Sequence, residues 1–157
     1  MSKSVVPVEI KAVLPANGGS ALFLGNESKA FIIYIDHFLG NAISLAIRKI
    51  NPERPQTHHL FSQILKGLGA TLDHVVINDQ NEGVFYARLI LKMTNEIHQS
   101  KVLEIDARPS DSIALAAHLG APIFVADQVW NEVEDMSALL KQMDSGPSDS
   151  TDSRPPF

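Results

Sequence analysis

Apolar residues follow two different periods along the chain, and these periods divide it into strands and helices. Short runs rich in Val, Ile, Leu and Phe between turn residues are typical of strands; they cover residues 8–16, 21–26, 29–35, 70–79, 83–93, 101–106 and 121–125. Apolar residues at helical spacing predict three main helices, over residues 41–50, 57–69 and 109–120.

Residues at the boundaries define the ends of two of these helices more closely. Thr57 fits the capping position of the second helix, because its hydroxyl can accept a hydrogen bond from an N–H of the first turn. Pro109 fits the first turn of the third helix, where a missing N–H is tolerated, and Gly120 fits the position after its end. The first residues of these two helices are therefore predicted closely enough to be searched for candidate catalytic and binding residues.

A shift of 70 residues reveals an internal repeat. "IDHFLGNAISLA" (35–46) aligns without a gap on "IDARPSDSIALA" (105–116), and Ile, Asp, Ile, Leu and Ala recur at equivalent positions. A predicted hairpin precedes each copy. The pattern predicts a single α+β domain of two strand-strand-strand-helix units, with a mixed or antiparallel sheet and the helix over 57–69 as a bridge.

The end of the chain has a different composition. Trp130, Val133, Leu139 and Met143 have roughly helical spacing and predict an amphipathic helix over 127–143. Residues 144–157 are mostly Ser, Asp and Pro, which predicts a disordered tail. The expected organisation is an α+β domain over 1–126, then this helix and tail.

Charge and composition exclude several classes of protein. The chain has no Cys, which excludes disulfides, thiolate metal sites and a cysteine nucleophile. No apolar run approaches the roughly 18 residues of a membrane span, and the first residues lack the apolar stretch of a secretory signal. These features favour a cytoplasmic protein. Residues 127–157 account for the whole net charge of −5, so any phosphate site must be a local cluster rather than a basic surface.

Two Arg-Pro segments place polar residues at helix starts. They read Arg54-Pro55-Gln56-Thr57 and Arg108-Pro109-Ser110-Asp111. Free N–H groups and the positive end of the helix dipole favour anions there, and a guanidinium can hold a phosphate by two parallel hydrogen bonds. The pattern predicts phosphate contacts from Arg54, Thr57, Arg108 and Ser110, with both segments facing one cleft.

His58 is the predicted proton acceptor of such a cleft. A helix start favours the neutral imidazole, which suits a general base. Asp106 and Asp111 complete the candidate catalytic set with Arg54 and Arg108, because they can orient Arg108. The structural alternative is that Asp111 caps its helix and that Arg108 pairs with Asp106 or Asp111.

The sequence also offers candidate ligands for a metal ion and further candidate contacts to phosphate. Asp36 and Asp106 are equivalent in the repeat, and together they can offer hard oxygen ligands to Mg²⁺ or Mn²⁺. The alternative is that each ends a strand and caps the next helix. Arg48 and Lys49 form the densest basic segment with Arg54, which predicts a phosphate-facing rim or a solvated loop.

Two stretches resemble the bifunctional nuclease domain family. They are "RPSDSIALAAHLGAPIFV" and "ERPQTHHLFSQILKGLGATLDHVVINDQNEGVFYARLIL", and the resemblance covers about residues 5–126. It implies an α+β domain that forms a homodimer and cleaves DNA and RNA. Two positions depart from the family pattern: His59 stands where the family has an aspartate, and Asn41 where it often has a glutamate. A role that needs either carboxylate would be missing here.

The expected function is therefore hydrolysis of nucleic-acid phosphodiester bonds with low sequence specificity. The alternative is a non-enzymatic regulatory or interaction module, in which the Arg-Pro segments bind an anionic metabolite or the carboxylates of a protein partner. In a third interpretation these segments only brace the fold.

Overall fold

The computed structural model describes residues 4–146, which form a seven-stranded sheet and five helices. The strands are β1 (Val5–Ala16), β2 (Gly19–Gly25), β3 (Ala30–Ile35), β4 (Ala70–Asn81), β5 (Val84–Thr94), β6 (Ser100–Ala107) and β7 (Ile123–Ala126). The helices are α1 (His37–Ile47), α2 (Thr57–Gly67), α3 (Pro109–Leu119), α4 (Asp127–Glu132) and α5 (Ser137–Asp144).

The sheet is mixed, with the strand order β3-β2-β1-β7-β4-β5-β6. The last strand, β7, lies in the middle, where it is antiparallel to β1 and parallel to β4. The remaining neighbours are antiparallel. The predicted α+β fold in a single domain is confirmed.

The two halves of the sheet correspond to the repeat. β1-β2-β3-α1 and β4-β5-β6-α3 have the same order of elements, and α2 connects them. The equivalent residues Ile43 of α1 and Ile113 of α3 are both fully buried, in one hydrophobic cluster. Two of the positions that are identical in the repeat thus lie in the core.

The sheet curls so strongly that strands distant in its order meet. The ring of Phe31 on β3 lies 5.8 Å from that of Phe85 on β5, and 6.1 Å from Trp130 on α4. These distances join ring centroids and are typical of aromatic packing. The curled sheet and the helices therefore enclose one continuous core.

Capping residues explain two differences from the predicted helices. Helix α1 begins at His37 rather than Asn41, because Asp36 accepts a hydrogen bond from the Leu39 N–H at 2.9 Å. Helix α2 is capped by Gln56 rather than Thr57, and the Gln56 N–H donates to Nδ1 of His59 at 3.2 Å. The second arrangement is a capping box with histidine in place of the usual Glu or Gln.

The segment predicted as an amphipathic helix over 127–143, with a break near Asp135 as the alternative, contains two helices, α4 and α5, separated at that residue. The turn between them is held by Asp135, whose carboxylate accepts hydrogen bonds from the N–H groups of Ser137 and Ala30, at 3.0 and 3.3 Å. Val129 and Val133 are buried in the core. Apart from 144–146, the predicted disordered tail lies outside the described residues.

Within residues 4–146 no helix is both long and apolar enough to cross a membrane.

Gly40 lets α1 approach β2 closely, which leads to a stability prediction. A Cβ at Gly40 would stand 2.6 Å from Cβ of Ser20 and closer still to its hydroxyl oxygen. We expect Gly40→Ala to lower the free energy of unfolding by about 1–3 kcal/mol, because overpacking displaces α1. Urea denaturation measures the change.

Gly67→Ala is the matched control, because a Cβ at Gly67 would meet nothing within 4 Å. It should be neutral or stabilising, as expected for Gly to Ala in a helix. Adding Ser20→Gly to Gly40→Ala should restore stability. A Gly40→Ala protein as stable as the parent would contradict the described packing.

Candidate functional site

A groove of about 330 Å³ lies where α2, α3 and the end of β6 meet; we call it the α2 groove. Its polar residues are Thr57 and His58 of α2, Asp106 of β6 and Asp111 of α3. Most of its wall is apolar and comes from Leu39, Phe61, Leu89, Ile105 and Leu115. The groove thus combines a small polar end with an apolar wall.

One face of α3 provides a side of this groove. Asp111 and Leu115 are one helical turn apart, and His118 continues the same face. His58 of α2 contacts this face, since its ring centroid lies 5.8 Å from that of His118. The start of α2 therefore packs along α3.

A second groove of about 370 Å³ lies on the other side of the residues 106–111; we call it the β3 groove. Asp36, Arg108 and Ser110 line it together with residues 32–35 of β3. Asp106 and Asp111 line the α2 groove. Since residues 108–110 line one groove and the residues on either side of them line the other, this segment forms the ridge between the grooves.

Arg108 is held on this ridge by an ion pair. Its Nε donates to one oxygen of Asp111 at 2.8 Å, and a terminal nitrogen donates to the other at 3.3 Å. These hydrogen bonds and the charge of Asp111 raise the pKa of Arg108, and the charge of Asp36 raises it further. Both side chains are exposed, so the pair orients the guanidinium more than it stabilises the fold.

The structure does not gather all the predicted phosphate contacts in one cleft. It places Thr57 with His58 in the α2 groove, and Arg108 with Ser110 in the β3 groove. Within the described part of the chain, Arg48, Lys49 and Arg54 are exposed on the segment between α1 and α2, and they line neither groove.

The two carboxylates predicted to bind a divalent ion line different grooves. Asp36 caps α1, as the structural alternative predicts. Asp106 does not cap α3, because Arg108 holds that position; it stands opposite Arg88 in the pairing of β5 with β6. Among residues 4–146, no group of three His, Asp or Glu side chains is placed to hold a metal ion.

His58 belongs to a cluster of three imidazoles, which we call the histidine cluster. The ring centroid of His58 lies 4.1 Å from that of His59, and His59 lies 4.4 Å from His118. Burial lowers the pKa of His58 from its ordinary value, and the neighbouring His59 and His118 lower it further. Burial also lowers the pKa of His118, with a smaller effect of His59.

Sequence reasoning missed His118 as a neighbour of His58. The two residues are distant in sequence, and only the packing of α2 on α3 brings them together. His59, beside His58, caps α2 through its ring. The available signal was a Gln-x-x-His capping box at residues 56–59, which differs from the usual Ser/Thr-x-x-Glu/Gln.

Comparison with known proteins identifies the family. The model of the bifunctional nuclease domain matches residues 22–138, so the chain belongs to the bifunctional nuclease domain family. This range includes both grooves and all three members of the histidine cluster.

Two relatives come from Mycobacterium tuberculosis. They are "Uncharacterized protein MT1877" of strain CDC 1551 / Oshkosh and "Uncharacterized protein Rv1829" of strain ATCC 25618 / H37Rv. Each is 36% identical over 104 residues, which is 66% of this chain and 58% of the relative. The match thus spans less than two thirds of each relative.

The histidine cluster predicts that stability falls on mild acidification. The lowered pKa values of His58 and His118 mean that the unfolded chain binds more protons than the folded one below about pH 6.5. The free energy of unfolding therefore has its full value above about pH 6.5 and decreases as the pH falls below that value. Urea denaturation at pH 7.5 and pH 5.5 measures the difference.

A double variant tests the cause. With His58→Gln and His118→Gln together, the difference in stability between the two pH values should shrink. His98→Asn is the control, because His98 is exposed in the turn between β5 and β6 and should leave the difference unchanged. A double variant as pH-sensitive as the parent would show that the cluster is not the source.

Proposed function

We propose that the α2 groove hydrolyses phosphodiester bonds of DNA and RNA with low base specificity. The observation that carries the proposal is that His58 lies at the start of α2, inside a groove bordered by the ridge of Arg108 and Asp111. The first N–H groups of α2 and α3 have no partner inside their helices and favour an anion. Membership of the nuclease family supports the same reaction class.

In this proposal His58 accepts the proton of the attacking group. A water oxygen, or a 2′-hydroxyl in RNA, forms a bond to phosphorus while one ester P–O bond breaks. His58 takes the proton of the attacking oxygen, and the leaving oxygen takes a proton from solvent. The lowered pKa keeps His58 neutral and able to accept at neutral pH.

Arg108 lines the β3 groove, but its ion pair with Asp111 brings the guanidinium to the edge of the α2 groove, where we propose that it supplies charge for the phosphate oxygens. Its ion pair with Asp111 uses two of the five N–H donors of the guanidinium. The remaining donors stay available on the ridge, where they can stabilise negative charge that grows in the transition state. Asp111 thus orients Arg108 while leaving it able to bind substrate.

The exposed cations between α1 and α2 extend the proposed interface. Arg54 precedes the start of α2 by three residues, and Arg48 and Lys49 follow the end of α1. We propose that they contact neighbouring phosphates of a longer strand, outside the groove. Such contacts add affinity without base specificity and weaken as salt rises.

A second candidate function follows from the apolar wall of the α2 groove. Leu39, Phe61 and Ile105 present a surface that suits an apolar side chain of a partner as well as a nucleotide. In that case the protein is an interaction module, with Arg108 contacting an anionic group. Turnover separates the two candidates.

We also propose a cytoplasmic homodimer that pairs through α2. Leu60 and Ile64 lie on one side of this helix and Leu68 directly follows its end; they are 52%, 49% and 66% exposed. An apolar stripe of this kind is typical of an interface, and its lack of charge makes it compatible with a second copy of itself.

The nuclease proposal predicts specific losses of cleavage. His58→Gln should lower the cleavage rate of a fluorescently labelled RNA or DNA oligonucleotide by about 10²- to 10⁴-fold, the usual contribution of a general base. Arg108→Lys keeps the charge but loses the planar fork, and should cost about 10²-fold. Rates are measured on highly purified, tag-free protein, with chelator and with added magnesium or manganese.

His98→Asn, prepared identically, controls for contaminating nuclease and should cleave at the parent rate. If His58→Gln and Arg108→Lys also cleave at that rate, the activity does not come from the α2 groove. If the parent protein shows no turnover on either nucleic acid, the interaction module replaces the nuclease as the proposed function.

The dimer proposal predicts a mass of twice 17.1 kDa in light scattering. Ile64→Asp should reduce it to the mass of one chain, because a buried carboxylate without a partner opposes association. Gln63→Asp adds the same charge beside the stripe and should leave the dimer intact. A parent protein with the mass of a single chain at micromolar concentration would contradict the proposal.

A further inference from the structure

The histidine cluster leaves two imidazoles without a part in the proposed reaction. His58 is the proposed proton acceptor, whereas His59 and His118 contact no proposed reacting atom. Yet both rings pack directly on His58, with centroids 4.1 and 5.8 Å away. Their arrangement bears on how His58 is held and when it carries a proton.

His59 is fixed by the backbone at the start of α2. The Gln56 N–H donates to Nδ1 of His59 at 3.2 Å. Because an N–H group can only donate, Nδ1 must be the acceptor, and the proton of the neutral ring resides on Nε2. The capping box therefore holds the His59 ring in one orientation at the start of α2.

His118 contacts the cluster from α3. Its ring lies nearly perpendicular to those of His58 and His59, with interplanar angles of 82° and 76°. Edge-to-face contact of this kind fixes the relative orientation of rings. His58 is therefore in contact with a neighbour on its own helix and with another on the facing helix.

The charged groups around His58 have opposite effects on its protonation. Asp106 of β6 and Asp111 of α3 line the same groove and would favour a protonated imidazole, but Asp111 is engaged by Arg108. On the other side, a proton on His59 or His118 would repel one on His58. The net effect, together with burial, is a lowered pKa of His58.

We propose that His59 and His118 are positioning residues for His58, which hold its ring at the α2 groove in the uncharged form that accepts a proton. The inference rests on the proposed role of His58 as general base and adds two residues to it. It implies that activity persists into mildly acidic conditions, where an ordinary histidine is protonated and cannot act as a base.

His59 itself is not placed to bind a metal ion. Zinc and other imidazole-binding ions need a ring nitrogen without a proton. In His59, Nδ1 accepts the Gln56 N–H and Nε2 carries the proton, so neither nitrogen is free.

The test is an NMR titration of the His58 ring, which does not depend on activity. We expect the pKa of His58 to rise toward the ordinary value of about 6.5 in His118→Gln, and further in His118→Ala, which also opens the cluster to water. His98→Asn is the control and should leave the His58 titration unchanged. The amide spectrum of each variant verifies that it is folded.

The pH profile of cleavage provides the second measurement. The acidic limb should move to higher pH in both His118 variants, with the plateau near pH 8 little changed. For each unit that the pKa of His58 rises, activity on the acidic side should fall by up to about tenfold. A purely structural role of His118 would instead lower activity equally at every pH.

The outcomes separate this inference from the proposed function. An unchanged His58 titration in both folded His118 variants overturns the inference, even if the protein cleaves nucleic acid. A shifted titration in a protein that cleaves neither RNA nor DNA supports the cluster and overturns the nuclease function. A shift in both the titration and the pH profile supports both.

Discussion

The burial of α3 on nearly every side is the constraint on which the rest of the structure depends. Residues 112–116 of this helix are all buried, and small side chains at Ser112, Ala114 and Ala116 let neighbouring elements approach. Ser112 can be buried because its hydroxyl donates to the Arg108 carbonyl at 2.8 Å. Helix α1 packs on α3, and the curled sheet closes around both.

The position of α3 determines the site at its start. A buried helix cannot shift, so the ridge of residues 106–111 is held between the α2 and β3 grooves. Arg108 and Asp111 then adopt a fixed ion pair at the surface. The other end of the same helix presents His118 to the start of α2. One rigid element thus positions both the proposed phosphate contact and the neighbour of the proposed base.

Much of this architecture is predictable from the sequence because local signals and the repeat agree. Pro109 and Gly120 bound α3 as expected, and Gly120 adopts the left-handed conformation that favours glycine there. The repeat identifies Ile43 and Ile113 as equivalent, and both lie at the core. The early start of α1 is not visible, because Gly40 is a poor helix former that only close packing on Ser20 explains.

The composition of the site is less predictable, because it depends on which helices meet. Arg54 and Arg108 occur in the same Arg-Pro motif, yet Arg108 lies on the ridge and Arg54 lies outside both grooves. The local pattern describes a helix start but not the surface it faces. His118 joins His58 only through the packing of α2 on α3, a contact between distant parts of the chain that no local pattern encodes.

The most direct test of the account is to locate a bound phosphodiester by NMR, using a dinucleotide with a non-hydrolysable phosphate linkage. The account predicts that the amide signals of Thr57, His58 and Asp111 shift together and saturate at one ligand concentration. Shifts confined to the exposed segment of Arg48, Lys49 and Arg54, with the α2 groove unaffected, would contradict it.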